Sequence, residues 1–140
     1  MNQYWVSVAM TIAGNVGYHL LNKSVAPTAH PFASLVATYG VGLLVALAVL
    51  AIDAPRGILA GMRDLNWASY LLGAVVVSLE LGFLLAYRAG WQVSVAGLYA
   101  NVAVGIVLIP IGTVLYRETL TYSQGAGIAL AVVSLILMSR

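Results

Sequence analysis

Five long apolar runs, separated by short polar segments, limit what this chain can fold into. Each run is 17 to 24 residues long, and about 20 residues of helix cross the roughly 30 Å hydrocarbon core of a bilayer. Because lipid offers the backbone no hydrogen-bond partner, we expect each run to be a transmembrane helix. The predicted spans are residues 4–21, 31–52, 67–87, 93–116 and 122–138. Residues 1–140 are therefore predicted to form one five-helix membrane domain of the all-α class.

The composition excludes several classes of protein. Hydrophobic residues make up 62% of the chain and charged residues only 7%, where an ordinary globular protein has about 25% charged residues. So few charges cannot cover the exterior of a soluble enzyme or form a nucleic-acid-binding surface. The chain has no cysteine and two histidines, so we predict no metal site, no cofactor and no enzymatic activity. We therefore expect the chain to lie in a lipid bilayer, namely the inner membrane of a bacterium.

Short signals mark the ends of the predicted spans. Asn66 is placed to cap the third helix, and Thr121 and Gln124 have the spacing of a capping box at the start of the fifth. The segment from Ile58 to Leu65 is apolar enough to predict a brief interfacial helix. Amphipathic rings favour the membrane interface, and seven of them lie at or near the span ends: Tyr4, Trp5, Trp67, Tyr87, Trp91, Tyr116 and Tyr122.

The basic residues are divided evenly between the two sides of the membrane. With five spans, three lie on the side of the amino terminus and three on the other: Arg56, Arg63 and Arg117 against Lys23, Arg88 and Arg140. The positive-inside rule then selects neither orientation. One interpretation is dual topology, with two oppositely inserted copies forming an antiparallel homodimer. The alternative is that the balance is coincidental and that a partner protein fixes the orientation.

Glu80 is the single acidic residue within a predicted span, about two-thirds of the way along the third. A carboxylate near the middle of a bilayer costs about 2.5–3.5 kcal/mol on insertion scales, so it should face a cavity or a partner. An ionisable group held in a cavity can exchange a proton for a cationic substrate, and we predict proton coupling at Glu80. The alternative is a structural glutamate that is hydrogen-bonded between helices.

The first span carries polar side chains on one helical face. They recur at spacings of three and four residues: Ser7, Thr11, Asn15, Tyr18, His19 and Asn22. Such a stripe should turn away from lipid, either to line a substrate path or to hold helices together through hydrogen bonds. His19 lies close to the end of the span, where an interfacial role is the alternative.

The fourth and fifth spans contain small residues at helical spacing. In the fourth, Gly105 and Pro110 are predicted to act as a hinge, because Pro110 removes the hydrogen bond to the Ile106 carbonyl. Close packing is the alternative. In the fifth, Ser123, Gly127 and Ala131 form a ridge predicted to mediate helix packing or dimer contact.

These observations predict a substrate site near the midplane, between the first, third and fourth helices. The residues expected to bind the substrate are Asn15, Tyr18, His19, Tyr99 and Asn101. Their amide and hydroxyl groups would contribute hydrogen bonds, and the rings would contribute apolar contacts.

The span pattern resembles one EamA-type repeat of the drug/metabolite transporter superfamily. The end of that repeat is similar to Pro110–Arg140, with Tyr-Arg-Glu-Thr-Leu at 116–120 and a glycine-rich segment at 124–128. Segment 97–109 is also similar to the third helix of small multidrug resistance transporters. One departure is clear: the first-helix glutamate of those transporters is absent, because the matching segment 13–17 reads Ala-Gly-Asn-Val-Gly.

The resemblance implies alternating-access transport of small organic molecules by two inverted five-helix halves, ten helices in all. We expect a secondary active exporter that works as an antiparallel homodimer and exchanges its substrate for protons through Glu80. One alternative is half of a hetero-dimeric transporter. Another is a membrane assembly or regulatory subunit that transports nothing and uses Glu80 only for docking.

Overall fold

The computed structural model describes residues 2–53 and 57–138, and all the regular structure there is helical. Five long helices and one short one follow in order: α1 (Asn2–Ser24), α2 (Pro31–Asp53), α3 (Ile58–Gly61), α4 (Trp67–Arg88), α5 (Val93–Leu115) and α6 (Tyr122–Met138). The five predicted runs are thus confirmed as helices, and α3 falls within the segment predicted to form a brief helix. Arg56 and Arg140, which enter the charge balance, lie outside the described residues.

Three of these helices have the length and apolar composition needed to cross a membrane, namely α2, α4 and α5. The last helix, α6, is also apolar but has only 17 residues. α1 has 23 residues, as many as α2, but its polar stripe makes it less apolar than the other four long helices. The described residues are therefore those of an all-α, multi-pass membrane protein with three candidate membrane spans, while membrane crossing by α1 and α6 stays a prediction.

Two of the predicted helix caps are present. The Asn66 side-chain oxygen accepts a hydrogen bond of 3.0 Å from the Ala68 amide at the start of α4. Before α6, the Gln124 side chain accepts from the Thr121 amide at 2.8 Å, and the Thr121 hydroxyl accepts from the Gln124 amide at 3.3 Å. Each bond satisfies a backbone group that the first turn of a helix leaves without a partner.

The end of α5 differs slightly from the prediction. The helix stops at Leu115, one residue early, because Arg117 adopts a left-handed backbone conformation with φ of 54°. This conformation turns the chain back, and the amides of Tyr116 and Glu118 both donate to the Gly112 carbonyl. Within the helix, α5 continues through Pro110, whose role as a hinge stays a prediction.

The chain divides into two compact units, Met1–Ala89 and Gly90–Arg140. In the first unit, α4 packs against both α1 and α2, and α3 packs against α2. In the second unit, α5 packs against α6. The helix that carries Glu80 is therefore the central helix of the first unit.

Few apolar side chains are buried within the described residues. The buried ones are Leu35, Leu84 and Tyr87 in the first unit and Ala96 in the second. Most large apolar side chains along the helices are exposed, including Val36, Leu44 and Val114. An apolar surface this extensive is unfavourable in water and marks a membrane-facing or protein-binding exterior.

Asn66→Ala tests the cap that begins the helix carrying Glu80. Loss of the side-chain acceptor leaves the Ala68 amide without its partner, so we expect the free energy of unfolding to fall by about 1 kcal/mol. Unfolding in mixed micelles by titration with a denaturing detergent measures this. Asn66→Ser, which retains a capping oxygen, should lose much less, and equal losses for the two variants would contradict a capping role.

Candidate functional site

A cavity of about 200 Å³, mostly apolar but with a few polar groups, lies among α1, α2 and α4 in the first unit. All three helices and the loop after α1 contribute to its wall. The lining residues are Tyr18, Leu21 and Asn22 of α1, Val25 of the loop, Ser34, Leu35 and Thr38 of α2, and Glu80 and Leu84 of α4. Apolar side chains form part of this wall, and hydroxyl, amide and carboxylate groups form the rest. The cavity has the general character of a small-molecule site, namely an apolar lining with a few placed polar groups.

Glu80 enters this cavity from the central helix. Its residue is partly buried, and its carboxylate is close enough to the hydroxyls of Tyr18 and Tyr39 for its charge to act on both. Tyr18 comes from α1 and Tyr39 from α2. The packing of α4 against both neighbours is what brings one acid and two phenols together.

The side-chain oxygen of Asn22 is buried and has no hydrogen-bond partner among the described residues, and Asn22 itself is only 7% exposed. The buried hydroxyls of Tyr18 and Tyr39 interact with the side chains of Asn22 and Glu80, respectively. A buried polar atom without a partner costs about 1–3 kcal/mol, so the Asn22 oxygen marks a place where a ligand or water with hydrogen-bond donors would be stabilised.

A second cluster lies beside the cavity and is already paired. The Tyr87 hydroxyl and Nδ1 of His19 share a hydrogen bond of 2.7 Å, and both residues are buried. Phe83 stacks edge-on against His19 with ring centroids 4.7 Å apart. Lys23 donates to the Tyr87 carbonyl at 3.2 Å. These contacts tie the C-terminal turns of α1 and α4 together.

Arg88 closes the same end of the unit. Its guanidinium donates to the carbonyls of Ala26 and Ala29, at 3.3 and 2.7 Å. Both carbonyls belong to the loop between α1 and α2, which Arg88 therefore holds against α4. Val25 in this loop lines the cavity, so the hydrogen bonds of Arg88 also stabilise this part of the cavity wall.

The predicted substrate residues of the first unit occupy different environments. Tyr18 lines the cavity with Glu80. His19 is not among the lining residues and instead bonds to Tyr87. Asn15 is exposed and lies one turn of α1 before them. The substrate role of all three stays a prediction, but only Tyr18 shares the cavity with the acid.

In the second unit, Tyr99 packs edge-on against Trp91, with ring centroids 5.8 Å apart. Both rings border a separate cavity of about 530 Å³ near the start of α5. Asn101 is exposed. A substrate role for Tyr99 and Asn101 stays a prediction.

The small residues of the second unit border an apolar groove of about 400 Å³ between α5 and α6. Gly105, Gly127 and Ala131 line it, so the predicted ridge on α6 faces its own neighbour at two of its three positions. Ser123, the third position, is exposed and does not line the groove. The groove fits the packing interpretation of the ridge, and dimer contact stays a prediction.

Sequence reasoning did not assign a site role to three of the polar residues that line the cavity. Asn22 was part of the polar stripe, and its burial is what distinguishes it from Ser7 and Thr11. Ser34 and Thr38 lie on α2, where their spacing of four residues was the available signal. Among the described residues, no group of three or more His, Asp or Glu side chains could hold a metal ion.

The chain matches no protein-family model, no curated protein and no solved structure. The evidence for function therefore comes from the chain's own residues and from the resemblance in span pattern described above.

Tyr87→Phe tests whether the buried pair beside the cavity holds α1 to α4. Removing the hydroxyl leaves the buried His19 nitrogen without a partner, so we expect a loss of about 1–3 kcal/mol in the free energy of unfolding. The matched control is Tyr70→Phe on the same helix, where the ring is 69% exposed and the change should be close to zero. Equal effects of the two substitutions would show that the hydrogen bond does not stabilise the unit.

Proposed function

We propose that this protein is a secondary active transporter of small organic molecules, and that Glu80 couples substrate movement to protons. The observation that carries the proposal is a carboxylate at a small cavity with a few other polar groups, bounded by helices whose outer surfaces are apolar. Ionisable residues within membrane helices are costly and are found at substrate paths and proton relays. The cavity supplies the space such a path needs.

The coupling follows from competition for one carboxylate. A proton and a cationic group each neutralise Glu80, and neither leaves room for the other. Substrate arriving at the cavity would release the proton, and a proton arriving from the other side would release the substrate. Exchange of this kind links the two movements if the cavity opens to one side of the membrane at a time.

The proposed assembly is an antiparallel homodimer of two five-helix chains. The even distribution of basic residues and the resemblance to an EamA-type repeat support it, and the largely exposed apolar helix surfaces leave area for a second copy. In such a dimer each chain would supply one inverted half of a ten-helix transporter. We place it in the bacterial inner membrane.

Glu80→Gln tests the coupling. The amide keeps the shape of the side chain but cannot bind a proton or carry charge, so proton release on substrate addition should disappear. A panel of small organic cations, neutral molecules and anions is added to weakly buffered, purified protein, and the pH is recorded. Proteoliposomes then show whether solute flux follows an imposed pH gradient.

Ser78→Ala is the matched control for this substitution. Ser78 lies on the same helix, is exposed, and donates only to the Ala74 carbonyl one turn away. The control should release protons and transport solute as the unaltered protein does. If Glu80→Gln transports with an unchanged pH dependence, Glu80 has no coupling role.

Cysteine cross-linking tests the antiparallel arrangement, because the chain contains no cysteine of its own. Ser123, Leu130 and Leu137 lie seven residues apart on α6, at its start, middle and end, and all three are exposed. In an antiparallel pair that meets along this face, Leu130→Cys should cross-link to itself. Ser123→Cys should cross-link only to Leu137→Cys in a mixed sample.

A parallel dimer gives a different pattern, in which each of the three single variants cross-links to its own copy. Gel mobility of the membrane-embedded, oxidised protein separates the two patterns. Self-cross-linking at Ser123→Cys and Leu137→Cys would overturn the antiparallel arrangement. Absence of any cross-link would overturn a dimer contact along this face of α6.

A further inference from the structure

The cavity in the first unit is small. Its volume of about 200 Å³ lies below the roughly 300–1,000 Å³ of sites that hold drug-sized ligands. Its wall includes the short side chains of Ser34 and Thr38 and the buried, apolar side chain of Leu84. A space of this size suits the head group and short chain of a small molecule better than a bulky aromatic one.

The polar atoms of the cavity are mostly hydrogen-bond acceptors. Glu80 contributes carboxylate oxygens, which only accept when ionised, and Asn22 contributes a buried oxygen without a partner. Tyr18 also lines the cavity, and the lone pairs of its buried phenol oxygen can accept a hydrogen bond.

The charge of the cavity is negative. Among the described residues that line it, none is Lys, Arg or His, and Glu80 is the one acid. Arg88 is held by the carbonyls of Ala26 and Ala29. No cationic side chain of the described residues lines the cavity, so a positively charged ligand could itself bind to the Glu80 carboxylate as its counter-ion.

We propose that this cavity binds a small organic cation that carries N–H donors, of which a protonated primary amine with a short alkyl chain is the simplest. Its ammonium group has three donors for the oxygens of Glu80, Asn22 and Tyr18. Its alkyl chain fits beside Leu35 and Leu84. The transport of this cation rests on the proposed function, but its binding does not.

A quaternary ammonium ion separates the effect of charge from that of hydrogen bonding. It has the same charge as a protonated amine but no N–H group, so it could not donate to the buried oxygens. Hydrogen bonds between a charged donor and a buried acceptor contribute about tenfold or more to affinity. The cavity should therefore distinguish n-butylammonium and methylammonium from tetramethylammonium.

Titration calorimetry on the purified, full-length protein in detergent tests this inference with the chloride salts of those three cations. We expect n-butylammonium to bind and tetramethylammonium to bind about tenfold more weakly or not at all. Glu80→Gln should abolish binding of all three. Equal or tighter binding of tetramethylammonium would overturn the inference, as would binding by none of them.

Conservative variants test the individual oxygens. Tyr18→Phe retains the ring and removes only the hydroxyl from the cavity wall, so it should weaken n-butylammonium several-fold and leave tetramethylammonium unchanged. Tyr70→Phe, on the exposed face of α4, is the matched control and should alter neither. If Tyr18→Phe weakens both cations equally, its hydroxyl does not select for N–H donors.

Flux measurements keep this inference separate from the proposed function. If n-butylammonium binds as expected but proteoliposomes move no solute, the amine site stands and transport fails. If proteoliposomes transport another solute while no amine binds, transport stands and the amine site fails.

Discussion

The cost of placing a carboxylate among apolar helices is the main physical constraint on the packing of α1, α2 and α4. Glu80 lies on α4, which packs against α1 and α2, and each neighbour turns polar side chains toward it. Tyr18 and Asn22 come from α1, and Tyr39 comes from α2. Without these groups the acid would meet only hydrocarbon or apolar side chains, which is unfavourable by several kcal/mol.

The polar stripe on α1 serves more than one purpose. Ser7 and Thr11 are exposed and donate to carbonyls of their own helix, so their hydroxyl hydrogens already have acceptors. Further along, His19 pairs with Tyr87 and fixes the contact between α1 and α4. Tyr18 and Asn22 line the cavity and contribute buried oxygens to it. Along this face, the first polar groups are hydrogen-bonded within their own helix. The later ones either hold α1 to α4 or line the cavity, where a ligand could bind them.

The positions of the helices followed largely from local rules. An apolar run of about 20 residues in a chain with so few charges has little alternative to a helix, and Asn66 and Thr121 mark helix starts by hydrogen bonds that involve only neighbouring residues. The end of α5 was predicted one residue too late, because the left-handed conformation of Arg117 has no marker such as glycine. The lower apolar character of α1 is a direct consequence of the stripe.

The amino-acid sequence by itself determined that the chain is helical and membrane-embedded, because composition and the length of the apolar runs fix both properties. It also determined that Glu80 needs polar neighbours, because burying a charge is costly. Only the tertiary structure decided which residues are those neighbours. Tyr18 and His19 are adjacent in sequence, yet one borders the cavity and the other bonds to Tyr87. This difference depends on how α1 is rotated against α4. The packing of side chains on both helices sets that rotation, and a repeating pattern along one helix does not specify it.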